Sequence, residues 1–140
     1  MTRTAEIART TNETDVRLAL ALDGAGRGER ATGVGFFDHM LDLLARHARL
    51  DLDVSVTGDL QTGAHHTAED TGLALGQALD EALGDRAGIF RYGHAVVPMD
   101  EARASCAIDV SGRPLLVFAA AQLPTGVTGG FDHELAEEFF

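Results

Sequence analysis

The residues best suited to chemistry are gathered in the run His65-His66-Thr67-Ala68-Glu69-Asp70. If a helix passes through this run, His65 and Glu69 stand four residues apart on one face, where an imidazole nitrogen and a carboxylate oxygen can share one divalent cation. His66 is turned by about 100° around the axis. It suits a second ion, or the same ion approached from another chain. Nitrogen and carboxylate donors without thiolate favour Mn, Fe or Zn over a structural zinc site of the cysteine type. The plainer reading is that two histidines and two acids decorate a helix N-terminus, with Glu69 and Asp70 complementing the dipole.

Other candidates are more scattered. His39, in Gly35-Phe36-Phe37-Asp38-His39, opens the first turn of a predicted helix. It serves either as a ligand or as a capping and packing residue. His47, eight residues on, either walls a substrate site or pairs with the helix end. His94 and His133 lack an acid or histidine at ligand spacing and read as surface residues. Arg91 precedes a predicted strand and Arg113 sits in a Ser-Gly-Arg-Pro turn, places where a sheet presents binding groups. A guanidinium at either site can grip a phosphate through two parallel hydrogen bonds, or simply solvate the surface. Glu13 and Asp100 are acids at element starts, which capping also explains. There is no nucleophile elbow, Walker loop or dinucleotide fingerprint, and Gly24-Ala25-Gly26-Arg27-Gly28 reads as a hairpin turn.

These residues need a scaffold, and the pattern supplies one. Val16, Leu18, Leu20 and Leu22 alternate with polar positions, as do Leu52, Val54 and Val56, and Ala104, Cys106, Ile108 and Val110. Each predicts a strand buried on one face. Residues 114–121 read as a further strand, and residues 32–36 as a weaker one. A helix over residues 38–48 carries Met40, Leu41, Leu43, Leu44 and Ala48, and a second over residues 67–83 carries Leu75, Ala78, Leu79, Ala82 and Leu83, stopped by Gly84. The expected class is α/β in the α+β sense: a two-layer sandwich of a mostly antiparallel sheet with helices on one face.

Composition bounds the function. The 140 residues, 45% hydrophobic and 24% charged, are ordinary for a globular chain. Eleven arginines and no lysine oppose 22 acids, for a formal charge of -11. That excludes nucleic acid and anionic membrane as partners and removes Schiff-base chemistry. One cysteine and a polar start predict a cytoplasmic protein. A weak internal repeat sets Phe36-Phe37-Asp38-His39-Met40-Leu41 on Leu135-Ala136-Glu137-Glu138-Phe139-Phe140, with Glu138 opposite His39. The competing register, Phe37-Asp38-His39 on Phe131-Asp132-His133, places acids on the buried stripe and is rejected. The chain thus divides into a first sheet-and-helix unit, residues 1–90, and the beginning of a second, residues 91–140, which stops within its first helix.

The ordered stretches RTTNETDVRLALALDG, GFFDHMLDLLARHARLDLDVSVTGD, HHTAEDTGLALGQALDEALGDRAGIFRYG, PMDEA, DVSGRPLLV and ELAEEFF resemble the imidazoleglycerol-phosphate dehydratase family over nearly the whole chain. The resemblance implies elimination of water from imidazole glycerol phosphate to give imidazole acetol phosphate, a step of histidine biosynthesis. It implies tandem sheet-and-helix units, two Mn2+ ions per site shared between subunits, and a homo-oligomeric cubic shell of twenty-four copies. It places metal ligands at His39, His65, His66 and Glu69, with Glu138 as a further carboxylate. Substrate contacts fall on Glu13, His39, His47, His65, Glu69, Arg91 and Arg113, the two arginines holding the phosphate. Glu13 and Asp100 become candidates for proton transfer, and Glu69 acts chiefly as a ligand. Three departures stand out. Gly63-Ala64 replace two acids common in the family, Glu138 replaces a histidine, and a second His-His-x-x-Glu motif is absent. An incomplete form that binds metal or self-associates without turnover is the alternative reading. An unrelated metal-dependent hydrolase, revealed by phosphate-ester cleavage, is another.

Overall fold

The two clearest alternating stretches become the middle of a sheet. In the computed structural model, which describes residues 3–120 and 123–140, β1 (Thr4–Thr10) pairs antiparallel with β2 (Thr14–Ala21). A short strand, β3 (Arg30–Ala31), and β4 (Asp51–Gly58) complete the order β1-β2-β4-β3. β2 and β4 are antiparallel, with Leu18 opposite Val54, whereas β3 lies parallel to β4. Ile7, Val16, Leu18, Leu20, Leu52 and Val54 are buried on one face. Glu6, Arg17, Asp53 and Ser55 on the other face are exposed, the alternation that a half-buried strand imposes.

Two helices cover the apolar face. In α1 (Gly35–Ala48) the buried positions are Phe37, Leu41 and Ala45, spaced four apart. This face is narrower than the stripe expected from sequence, since Met40 and Leu44 are 44% and 38% exposed. α1 also begins three residues earlier than expected, at Gly35. In α2 (His65–Leu83) the buried row is rich in alanine, with Ala68, Ala74, Ala78 and Ala82, so the helix lies close on the strands. It ends as expected, with the Gly84 N–H donating to the carbonyls of Asp80 and Glu81.

Several expectations are corrected. Residues 32–36 form no strand: Thr32 is fully buried and donates from both backbone N–H and Oγ1 to Asp38 Oδ1, at 2.8 and 2.7 Å, turning the chain into α1. Residues 24–28 are no hairpin turn, because β2 and β3 are not neighbours. This segment instead runs along the edge of β4, with the N–H groups of Ala25 and Arg27 donating to Asp51 Oδ1. Gly28 takes a positive φ of 116° there, and a Cβ would meet the Leu52 carbonyl oxygen. The expected strand over residues 114–121 is absent from residues 114–120, where Leu115 and Val117 are 87% and 81% exposed; position 121 lies outside the described residues. Alternation alone makes no strand where no neighbour supplies the ladder.

By contacts the chain falls into two units, residues up to Gly84 with Phe118–Phe140, and residues Asp85–Val117. The second is built on one antiparallel hairpin, β5 (Tyr92–Met99) with β6 (Ala102–Asp109). The predicted strand through Ala104, Cys106 and Ile108 is present but exposed along its whole length, not buried on one face. Alternation there marks an apolar side with no layer packed on it among the described residues.

In the first unit, β7 (Val127–Thr128), β8 (Phe131–Asp132) and α3 (Leu135–Phe139) complete the core. The Phe37 ring stacks 5.4 Å from Phe131 and meets Phe139 edge-on at 5.6 Å. α3 approaches α2 so closely at Gly72 that a Cβ would strike the Phe139 carbonyl oxygen. The core therefore has little room to readjust. Leu52→Ala, at a site with no solvent exposure, is expected to lower unfolding free energy by about 2–5 kcal/mol, measured by urea denaturation.

Candidate metal and substrate site

The chemical cluster opens α2. His65 and Glu69, one turn apart, bring Nε2 and Oε2 to 3.6 Å, with the two side chains 51% and 44% exposed. They are already a donor pair on one helix face. His66 stands beside them, its ring edge-on to His65 at a centroid distance of 5.4 Å. Its Nδ1 lies 2.9 Å from Asp59 Oδ2. This hydrogen bond raises the His66 pKa above its ordinary value, and partial burial opposes it. The charges of Asp59, Glu13 and Glu69 also favour the protonated ring. The same bond, with one from Thr62, holds the Asp59 carboxyl below the usual range.

Glu13 reaches this neighbourhood because the β1–β2 turn is tied to α2. Asp70, only 5% exposed, accepts hydrogen bonds from Arg9 Nε at 2.8 Å, Thr11 Oγ1 at 3.3 Å and Thr14 Oγ1. Thr11 Oγ1 in turn accepts from the N–H groups of Glu13 and Thr14, at 3.2 and 3.0 Å. The turn is thus wound around one hydroxyl and stapled to the helix by one carboxylate, with the Glu13 side chain exposed. Burial pushes the Asp70 carboxyl up, but the hydrogen bonds from Thr14 and Arg9 and the arginine charge prevail, leaving it below 3.8.

The remaining candidates are placed separately. His39 and His47 are exposed on the second and last turns of α1, and Glu138 is exposed on α3. Among the described residues no three His, Cys, Asp or Glu side chains converge closely enough to hold a metal ion. The donors do fit a first-row divalent metal in kind: paired imidazole and carboxylate, and a second imidazole with one nitrogen already engaged. One chain therefore presents an open set of donors. In the second unit, Arg91 grips Asp109 with two hydrogen bonds, at 2.7 and 3.2 Å, and lies over the Tyr92 ring. Arg113 follows Gly112, its backbone N–H donating to Ser111 Oγ. Asp100 occupies the two-residue tip between β5 and β6 with a positive φ of 49°. His133, expected at the surface, is half-buried. It bonds the Pro124 carbonyl through Nδ1 and Thr128 through Nε2.

Sequence reasoning missed Asp59, Arg9, Thr11 and Thr14, and treated Asp70 as a dipole partner. The available signal was the polar Thr11-Asn12-Glu13-Thr14 turn between two strands, but only the fold shows that it faces α2.

The family model described as imidazoleglycerol-phosphate dehydratase matches residues 32–140. An imidazoleglycerol-phosphate dehydratase from a Jannaschia species is 56% identical over 138 residues, covering 99% of this chain and 70% of that protein. One from Symbiobacterium thermophilum is 60% identical over 138 residues, covering 99% and 66%. The crystal structure of the Staphylococcus aureus enzyme of that name superposes with a TM-score of 0.84 at 38% identity, over 97% of this chain and 74% of that one. The chain thus spans between 66% and 74% of the length of these relatives.

The Asp70 staple carries a pH dependence. Because its folded pKa is depressed, its contribution is complete above 3.8 and is lost as pH falls through the lower folded value. At neutral pH Asp70→Asn is expected to cost about 2 kcal/mol. In urea titrations stepped downward through the carboxylate range, the gap between wild type and variant closes.

Proposed function

This chain belongs to the imidazoleglycerol-phosphate dehydratase family, and we propose on that premise that it acts as a carbon–oxygen lyase on imidazole glycerol phosphate. Water is eliminated and imidazole acetol phosphate is formed, in histidine biosynthesis. The observation that carries the reading is the cluster at the start of α2, His65 paired with Glu69 and His66 beside them.

The reaction removes a proton from carbon beside an imidazole and expels a hydroxyl, so it needs an electron sink for the ring. Two manganese(II) ions, when bound, supply that sink as Lewis acids. His65, His66 and Glu69 are the ligands that this part of the chain offers, with His39 and Glu138 as further donors from α1 and α3. Glu13, on a turn held by Asp70, is the acid that accepts or returns a proton in this reading, and Asp100 is the second acid. Arg91 and Arg113 are the phosphate anchors, and His47 is a wall of the substrate site. Phosphate binding at Arg91 exchanges one two-point partner, Asp109, for another. In this reading the subunits of a homo-oligomer, up to a twenty-four-copy shell, share each site, because the exposed His65–Glu69 pair leaves positions open to further ligands. The lone cysteine accords with a cytoplasmic setting. Among the described residues no helix is long and apolar enough to cross a membrane.

That same openness also supports a second reading, a chain that binds metal or self-associates without turning over. Metal stoichiometry and dehydration assays on the chain loaded with Mn(II) separate the two. Two ions per site with turnover are expected, and weak single-ion binding without product favours the second reading. Glu13→Gln is expected to cut turnover by about a hundredfold or more while leaving manganese content unchanged. Equal loss of both removes Glu13 from proton transfer.

A further inference from the structure

The loop between β4 and α2 carries a carboxylate whose placement ordinary capping does not explain. Asp59 ends β4's exit and is followed by a single 3-10 turn, Leu60–Thr62. Its backbone carbonyl accepts from the Thr62 N–H at 2.8 Å and from Thr62 Oγ1 at 2.9 Å. The same hydroxyl also lies 2.9 Å from Oδ2, its one proton shared between the two acceptors, so the side chain is held by its own turn. On its other side the same Oδ2 lies 2.9 Å from His66 Nδ1. The second oxygen, Oδ1, is buried without a hydrogen-bond partner. A carboxylate turned only to cap a short helix has no reason to load one oxygen twice and strand the other, which costs free energy. The orientation is set by the pair of partners, Thr62 behind and His66 in front.

An ionised carboxylate only accepts hydrogen bonds, so the imidazole nitrogen facing it must carry the proton. Once Nδ1 is the donor, the neutral ring has its lone pair at Nε2, on the opposite edge.

We propose that Asp59 is a positioning residue that fixes His66 in its Nδ1–H tautomer and so presents Nε2 as the ligating nitrogen. This rests on the reading of His66 as a metal ligand, and it names the group that decides which nitrogen does the binding. The arrangement is of the kind in which a carboxylate behind a histidine orients the ring and raises its basicity toward a metal. His66 stays 41% exposed while Asp59, behind it, is 17% exposed.

The test has two readouts, both made on the full chain. Long-range 15N–1H correlation spectra of histidine-labelled protein, without metal and above the pH at which imidazole titrates, report the tautomer directly. His66 is expected as the Nδ1–H form in wild type. Asp59→Ala releases it toward the Nε2–H form that free imidazole side chains favour, and Asp59→Asn, whose amide oxygen still accepts, retains the Nδ1–H form. Mn(II) affinity, followed by the loss of the free-ion paramagnetic resonance signal, is expected to fall about 10- to 100-fold in Asp59→Ala and less than tenfold in Asp59→Asn. Circular dichroism confirms that each variant is folded, and Asp59→Asn carries the test if the alanine variant is not. A wild-type His66 in the Nε2–H form overturns the proposal. So does a tautomer that ignores Asp59→Ala, or an Asn variant that keeps the tautomer yet loses as much affinity as Ala. If wild type binds no Mn(II) while the tautomer follows Asp59 as expected, the metal reading of the site fails and the orienting role of Asp59 stands.

Discussion

Much of the arrangement turns on the carboxylate of Asp70. It is buried at the sheet–helix interface, where an unpaired charge would be strongly destabilising, and it is held by two threonine hydroxyls and one guanidinium of the first hairpin. That requirement fixes how far the hairpin can rise above α2. Glu69, the preceding residue, leaves the helix about 100° around the axis from Asp70 and is left half-exposed beside His65. One buried acid thus sets the geometry of an exposed pair, and neighbours in sequence divide structural and chemical duties by the direction in which each leaves the helix.

The join between β4 and α2 continues this logic. Gly58 ends the strand where a side chain would collide with Thr67 Oγ1, so strand end and helix start come together without an intervening layer. The turn that Asp59 opens then has only five residues, 60–64, before His65 begins α2. A short connection between two packed elements leaves few ways to orient the first helical turn. The two histidines therefore inherit their placement from the core under Ala64 and Ala68, both buried.

How far this was legible in the sequence varied with the kind of signal. Strict alternation in β2 and β4 gave their location and their buried faces, because burial on one side of a sheet leaves a period of two. The i, i+4 relation of His65 and Glu69 was readable for the same reason, since helical geometry alone brings them together. The parallel pairing of β3 was not, because two residues carry no period and their order in the sheet depends on the crossover of residues 22–29. Nor were the partners of Asp70, which lie 56 to 61 residues away in sequence. The same limit applied to β6, where alternation signalled an apolar side but could not say whether anything lies on it.

That β5–β6 ribbon bears on how firmly different parts of the chain are held. Its register is regular, from Tyr92 opposite Asp109 to Met99 opposite Ala102, yet all sixteen of its residues are exposed. A two-stranded ribbon without a packed face is marginal in water, because its ladder bonds are reached by solvent from both sides. The chain therefore spans a steep gradient of local opening free energy. Ladder bonds without a packed face open by fraying more readily than those of strands covered by a helix. The guanidinium fork of Arg91 on Asp109 closes the open end of the ribbon, where fraying begins.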